Sequence, residues 1–324
     1  VQLPSGEFRV FTSLLPDMAD QGTLDPSVFP TALIVHSLAF AAGTEAMRKR
    51  ALDFLEGQRD PGGLWRHWTR DHSHFKTLPA DVDDTCCVSS VLVQAGRTGA
   101  DQRLLLANRD AKGRFLTWFI PRPSWRGLRH ARVTWPHLLH PAILFLFFRQ
   151  TSAAPRDIDA GVNANALHYL GAFDGHEVVV DYLLAILRDG GEADADKWYD
   201  SRFVLWYLFA RALVPLTAEA APLLLARLRT AEPQSALERA LALSTRLACS
   251  EALRGEELEA LLSEQAADGS WPRSAVYWGG RERRRDGTLA PAHPDTPRWG
   301  SEELTTAFAI EALARCLSIS KECV

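Results

Sequence analysis

Asp81-Val82-Asp83-Asp84-Thr85, at the head of the apolar run from Cys86 to Val93, gathers three carboxylates within four residues. Each ionised carboxylate raises the cost of ionising its neighbours, so such a cluster favours holding a proton. On a helix that begins near Asp81, Asp81 and Asp84 share a face at i and i+3, while Asp83 is turned by roughly 100° from Asp84. One carboxyl can then point into a cavity while the other two anchor it. The residues alone fit two readings: an N-cap followed by first-turn acids that complement the helix dipole, or an acid poised for catalysis.

The elements that would position these carboxylates are helical. Apolar periodicity and breaker residues predict helices over about 28–42, 44–56, 81–94, 138–150, 159–170, 176–187, 200–213, 218–229, 232–249, 256–265 and 301–317, with a proline-broken stretch between 98 and 137. No period-2 run or Asn-Gly hairpin stands out, so the fold class is all-α. Helices opening near Ser27, Asp81, Asp159, Asp200, Pro233 and Ser301 are apolar on most sides. Those following near Glu45, His176, Ala218 and Glu256 carry one charged face. Alternating inner and outer helices in units of roughly 40 residues mark a helical array. The expected closure is an α/α toroid of about six hairpins, a single domain over 1–324 with 1–24 as a lead-in, its inner N-termini meeting at one mouth.

Two loops share a Gln, a tight Gly turn and a Trp after an outer helix: Gln58-Arg59-Asp60-Pro61-Gly62-Gly63-Leu64-Trp65 and Gln265-Ala266-Ala267-Asp268-Gly269-Ser270-Trp271. In both, the Gln can cap the preceding helix end and the indole N–H can reach a free carbonyl.

The chain has 324 residues, 47% hydrophobic, with a formal net charge of -4 and a pI near 6.2. That balance gives no electrostatic reason to expect nucleic acid or an anionic membrane as partner. Five cysteines, odd in number and set mostly in apolar helical runs, do not form a disulfide framework and point to a cytoplasmic setting. No apolar stretch is long enough for a transmembrane segment.

The Asp-x-Asp-Asp run at 81–84 resembles the motif of class II terpene cyclases and squalene-hopene cyclases, and the loops at 58–65 and 265–271 resemble that superfamily's QW repeats. The resemblance implies an α/α barrel and a protonation-initiated carbocation cyclisation of an isoprenoid. It assigns Asp83 as the general acid, with Asp81 and Asp84 positioning it and keeping it protonated. No metal site or cofactor is required, and Mg²⁺ enters only if the substrate is a diphosphate. One barrel leaves room for a partner domain or subunit.

This chemistry needs further groups. An uncharged partner for Asp83 is expected from Asn163 or Asn165 on the next inner helix, with His168 one turn deeper. Aromatic faces stabilise a carbocation without attacking it, and the candidates are Trp198, Tyr199, Phe203, Trp206, Tyr207, Tyr277, Trp278 and Trp299. The basic run containing Arg283 and Arg284 could grip a diphosphate, which together with one small barrel favours a prenyl diphosphate over squalene. Two alternatives share the toroid. A protein-prenyltransferase-like enzyme would bind zinc through Asp84 and Cys86, and a non-catalytic barrel would bind an isoprenoid or a partner.

Overall fold

The computed structural model describes residues 1–122, 126–199 and 201–322. Asp200, the expected start of a helix, and Cys323 lie outside the described residues. In chain order the helices are α1 (Val28–Leu38), α2 (Glu45–Gly57), α3 (Val82–Gln94), α4 (Gln102–Ala107), α5 (Leu128–Leu139), α6 (Pro141–Gln150) and α7 (Ala160–Leu170). They continue with α8 (Glu177–Asp189), α9 (Glu192–Ala195), α10 (Arg202–Leu213), α11 (Ala220–Leu228), α12 (Ala236–Ala248), α13 (Gly255–Ser263) and α14 (Glu302–Glu322).

Six of these form the inner layer. α1 packs on α3, α3 on α7, α7 on α10, α10 on α12, α12 on α14, and α14 returns to α1, which closes the ring. Their sequences explain the choice: every residue of α1, and every residue of α10 after Arg202, is buried, whereas α2, α8 and α11 bury one face and lie outside. The toroid expected from the alternation of apolar and one-faced helices is the fold observed.

Local capping fixes where the inner helices begin. The Asp81 side chain accepts the Asp84 N–H at 2.7 Å, Ser201 accepts that of Phe203, and Ser235 that of Glu238. The two repeated loops prove to be one device. Trp65 Nε1 donates to the Leu55 carbonyl and Trp271 Nε1 to the Leu261 carbonyl, each at the end of the preceding outer helix. The backbone N–H of Trp65 donates to Thr85 Oγ1, and that of Trp271 to Thr306 Oγ1. A third copy, unmarked by Gln or Trp, runs over 108–115, where Phe115 N–H donates to Asn163 Oδ1 at 2.8 Å.

Three features depart from the sequence reading. The helix expected over 138–150 is two helices meeting at His140, since Pro141 begins a new first turn. The lead-in is built into the fold. β1 (Phe11–Ser13) pairs antiparallel with both β2 (Thr23–Leu24) and β4 (Arg298–Gly300), and β3 (Ala275–Trp278) completes a sheet ordered β2-β1-β4-β3. Strands of two to four residues are too short to show alternation, which is why they escape a period-2 search.

Candidate active site

The N-terminal ends of α1, α3 and α7 border a cavity of about 170 Å³. Asp81, Asp83 and Asp84 lie on its wall, and the remainder is mostly aromatic, with Trp68, Trp118, Trp198, Tyr199, Tyr277 and Trp299 prominent. Asp81 and Asp84 are buried, whereas Asp83 keeps accessible surface. The turn of α3 does this: Asp81 is spent on the cap, Asp84 faces inward, and Asp83 is left toward the open space.

Both oxygens of Asp83 are held. Asn165 Nδ2 donates to Oδ1 at 2.7 Å and the Tyr199 hydroxyl to Oδ2 at 2.5 Å. Asn165 is itself oriented, because Arg211 Nη2 donates to its Oδ1 at 3.0 Å and so fixes which end of the amide faces Asp83. Arg211 lies over the Tyr207 ring, whose hydroxyl donates to Glu311, a carboxylate that also accepts from Ser37 and Arg315. Tyr199 can reach Asp83 because position 161 is Gly; a Cβ there would stand 2.5 Å from the Tyr199 ring.

Burial raises the pKa of Asp83, while the Tyr199 and Asn165 hydrogen bonds and the positive field of Arg211 pull it back. The balance leaves Asp83 above the ordinary carboxylate value, with both oxygens facing hydrogen-bond donors. Asp81 is pushed well above the carboxylate range by burial and then by the charge of Asp84. Burial also drives Asp84, up to about 7.

The linkage sign follows from the raised value of Asp84. Its proton is bound more tightly in the folded chain, so its contribution is complete below the unfolded carboxylate range and is lost as pH rises to about 7. Wild type is therefore expected to lose thermal stability from about pH 4 to pH 7 relative to Asp84→Asn. Melting curves across that range would show the wild-type melting temperature falling relative to that of Asp84→Asn as pH rises; a constant difference would refute the assignment.

Of the aromatic candidates, Trp198, Tyr199, Tyr277, Trp278 and Trp299 line the cavity. Phe203, Trp206 and Tyr207 do not: Phe203 packs edge-on against Trp206, whose Nε1 reaches Glu192, and Tyr207 serves Glu311. Asn163 is not at Asp83. Its amide closes the third loop, donating to the Phe115 and Asp159 carbonyls while its oxygen accepts from Phe115, the place Thr85 and Thr306 hold in the other two copies. His168 lies deeper, with Nδ1 against the Arg211 carbonyl and its ring edge-on to His36; burial and Arg211 lower it to about 3.

Arg283 and Arg284 are off the cavity wall. Arg283 is held by the Asp194 and Gly287 carbonyls and approaches buried Asp159 at 3.6 Å, while Arg284 is an exposed residue of a tight turn. Cys86 is sealed in the core, away from the cavity, so Asp84 and Cys86 do not converge on a zinc site. Among the described residues no cluster of three His, Cys, Asp or Glu side chains is arranged to hold a metal.

The sequence reading missed His67, Trp68 and Trp118. His67 Nδ1 stands 3.7 Å from Asp84 Oδ2, and burial lowers its pKa against the raising fields of Asp81 and Asp25. The two tryptophans are equivalents, each three residues past the aromatic that closes a repeated loop, Trp65 or Phe115. Each pairs as an isolated β-bridge with an inner-helix cap, Trp68 with Ser27 and Trp118 with Asp81. Aromatic-x-x-Trp was the available signal. Trp68 and Trp299 both donate to Asp25, and the Tyr277 and Trp299 rings stack 5.4 Å apart.

A wider vestibule of about 760 Å³ continues outward from the cavity, sharing Trp68, Leu78, Phe147, Thr151 and Trp299 with it. His74, Arg149 and His293 add polar character there.

Solved structures resemble this whole fold. A protein from Actinoplanes aligns with TM-score 0.64 and 16% identity over 98% of this chain and 95% of its own. The type II terpene cyclase MstE from Scytonema, in its apo form, aligns with TM-score 0.64 and 16% identity over 98% and 94%. An arginine-to-alanine variant of MstE bound to geranylgeranyl dihydroxybenzoate, its substrate, gives TM-score 0.64 and 15% identity over 98% and 93%. These likenesses establish a terpene-cyclase-like α/α toroid. No protein-family profile and no curated protein matches the sequence.

Proposed function

We propose that this chain acts as one unit, a class II-type terpene cyclase in which Asp83 protonates the terminal alkene or epoxide of an isoprenoid. The observation that carries the reading is the Asp83 carboxyl, held by Asn165 and Tyr199 and facing a cavity walled by aromatic rings. As the Asp83 proton adds to one alkene carbon, the adjacent carbon becomes cationic. The π-electrons of the next alkene attack it, and the charge moves along the chain between the indole and phenol faces. The carboxylate left on Asp83 is stabilised by the two donors already in place. Loss of a proton to a base or capture of water ends the sequence; His67, neutral and on the cavity wall, is the base best placed to take that proton.

The apolar cavity takes the reacting tail and the vestibule takes the rest of the substrate, including a polar or anionic head group near Arg149, His74 and His293. The sequence expectation of a prenyl diphosphate fits that division, with the head away from Arg283 and Arg284. A prenylated aromatic acid of the kind MstE binds fits it equally. Neither needs a cofactor for the protonation, and Mg²⁺ would only screen a diphosphate. Near-complete coverage of the MstE chain supports a reaction contained in one barrel of this size. The buried thiols of Cys86, Cys87 and Cys249 fit a cytoplasmic setting.

The test is product analysis after incubation with C15 and C20 prenyl diphosphates, geranylgeranyl dihydroxybenzoate and squalene. A cyclised product that retains its head group supports the reading; no turnover of any of them counts against it. Tyr199→Phe sharpens the test. Loss of one hydrogen bond to the departing carboxylate is expected to slow turnover by roughly 10- to 100-fold. It also raises the pKa of Asp83 further, so the high-pH limb of the rate profile moves to higher pH. A profile that does not move would separate Tyr199 from the acid.

A further inference from the structure

Four tryptophans on the cavity wall donate their indole N–H to an aspartate. Trp118 meets Asp157 and Trp198 meets Asp159, while Trp68 and Trp299 share one oxygen of Asp25, at 3.2 and 2.6 Å. Asp157 and Asp159 have other partners in Lys197 and Thr117. Asp25 is the carboxylate given mainly to indoles. It follows β2, two residues before the Ser27 that opens α1, and its second oxygen meets His72 Nε2 at 2.9 Å.

The two indoles on Asp25 occupy a particular place. Trp68 and Trp299 line both the cavity and the vestibule, whereas Asp83 lines the cavity alone. They form the neck between the two spaces. Charge created beside Asp83 in the tail of an isoprenoid moves toward its head group, and so toward this neck.

An aromatic face attracts a cation, whereas the hydrogen-bearing edge repels one. Orientation therefore decides whether an indole helps or hinders. The His72 ring stacks on one face of Trp68 at 5.1 Å, and Tyr277 stacks on one face of Trp299 at 5.4 Å. Each neck indole keeps a single face for the passage, and its N–H edge is turned to Asp25.

We propose that Asp25 is a positioning residue that sets the faces of Trp68 and Trp299 toward the neck and makes it a site for a small apolar cation of the quaternary ammonium or tertiary carbocation kind. Its part in turnover rests on the cyclase reading, as the place where the travelling charge is held before quenching. The cation site itself stands apart from that reading.

The test is calorimetric binding of hydroxyhexyl-trimethylammonium and of the uncharged alcohol in which a quaternary carbon replaces its nitrogen. Wild type is expected to prefer the cation by roughly tenfold. Asp25→Ala should remove most of that preference. Asp25→Asn, whose amide oxygen can still accept from an indole, should keep part of it. The alcohol should bind all variants alike, which checks the fold. Combining Asp25→Ala with Trp68→Phe/Trp299→Phe should cost nothing beyond the two phenylalanines, because Asp25 acts through the indoles.

The assignment is overturned if wild type shows no preference for the cation. It is equally overturned if Asp25→Asn loses as much as Asp25→Ala, or if Asp25→Ala costs as much in the phenylalanine background as in wild type; either marks a direct charge effect. Where isoprenoid substrates turn over, Asp25→Asn should release products with fewer rings and lower kcat more than it changes KM. A cation preference without any cyclised product would sink the cyclase reading and leave the site standing, so the two failures are separate results.

Discussion

Asp83→Asn is expected to abolish cyclisation while leaving the fold and substrate binding in place. The substituted amide keeps the shape of the carboxylic acid, and its oxygen can still accept from Asn165. What it lacks is a proton acidic enough for an alkene. Removing the acid should lower product formation by roughly 10²- to 10⁴-fold, whereas the stabilisation of the chain by substrate, read as a shift in melting temperature, should persist. Asp81→Asn and Asp84→Asn should cost less, since neither side chain keeps the open surface of Asp83. Retention of turnover within a few-fold of wild type in Asp83→Asn would remove Asp83 from the chemistry. Loss of both turnover and substrate-induced stabilisation would make it a binding residue. A non-catalytic barrel predicts a third pattern, ligand binding unchanged and no turnover in either protein.

The second large effect concerns the wall rather than the acid. Lys197 and Asp157 form a buried ion pair at 2.7 Å, with side chains 1% and 3% exposed, and Lys197 also donates to the Ser152 carbonyl. Asp157 accepts from Trp118 Nε1, and neighbouring Asp159 accepts from Trp198 Nε1 and Thr117. The pair thus anchors the loop that presents Trp118 against Trp198, edge to face at 5.7 Å, on the cavity wall. Lys197→Met leaves an uncompensated carboxylate in the core and should destabilise the chain by about 3–5 kcal/mol. Denaturant unfolding measures this, and a loss under about 1 kcal/mol would show that water reaches the pair. Adding Asp157→Leu should restore part of the stability, because the stranded charge is gone. It should not restore catalysis, because Trp118 then has no acceptor to hold it in place.

The fold was legible because its signals are local. Caps, Gly breaks and the contrast between helices apolar all round and helices with one charged face follow from 3.6-residue periodicity, and together they required an inner ring and an outer layer. The aspartate cluster was legible for the same reason, since residue types and spacing alone place three carboxyls at one helix entrance.

Direction was not legible. Asn163 and Asn165 are two residues apart and point to different tasks, a loop closure and the Asp83 carboxyl. Their identical chemistry gave no means of choosing between them. α10 is buried on every side, so its apolar pattern has no preferred face. Only packing decided that Tyr199, just before the helix, reaches Asp83, while Phe203, Trp206 and Tyr207 turn elsewhere. His67, Trp68 and Trp118 come from connecting segments with no periodicity, and their place on the cavity wall exists only through bridges to Ser27 and Asp81. Arg283 and Arg284 illustrate the converse: a dense run of charge drew attention, but the carbonyls of Asp194 and Gly287 hold Arg283 away from the cavity. Sequence by itself determined which helices must face inward and where the carboxyls gather, because burial follows composition along each element. The tertiary structure alone decided which side chains share the cavity, because that depends on how separate elements are rotated against one another.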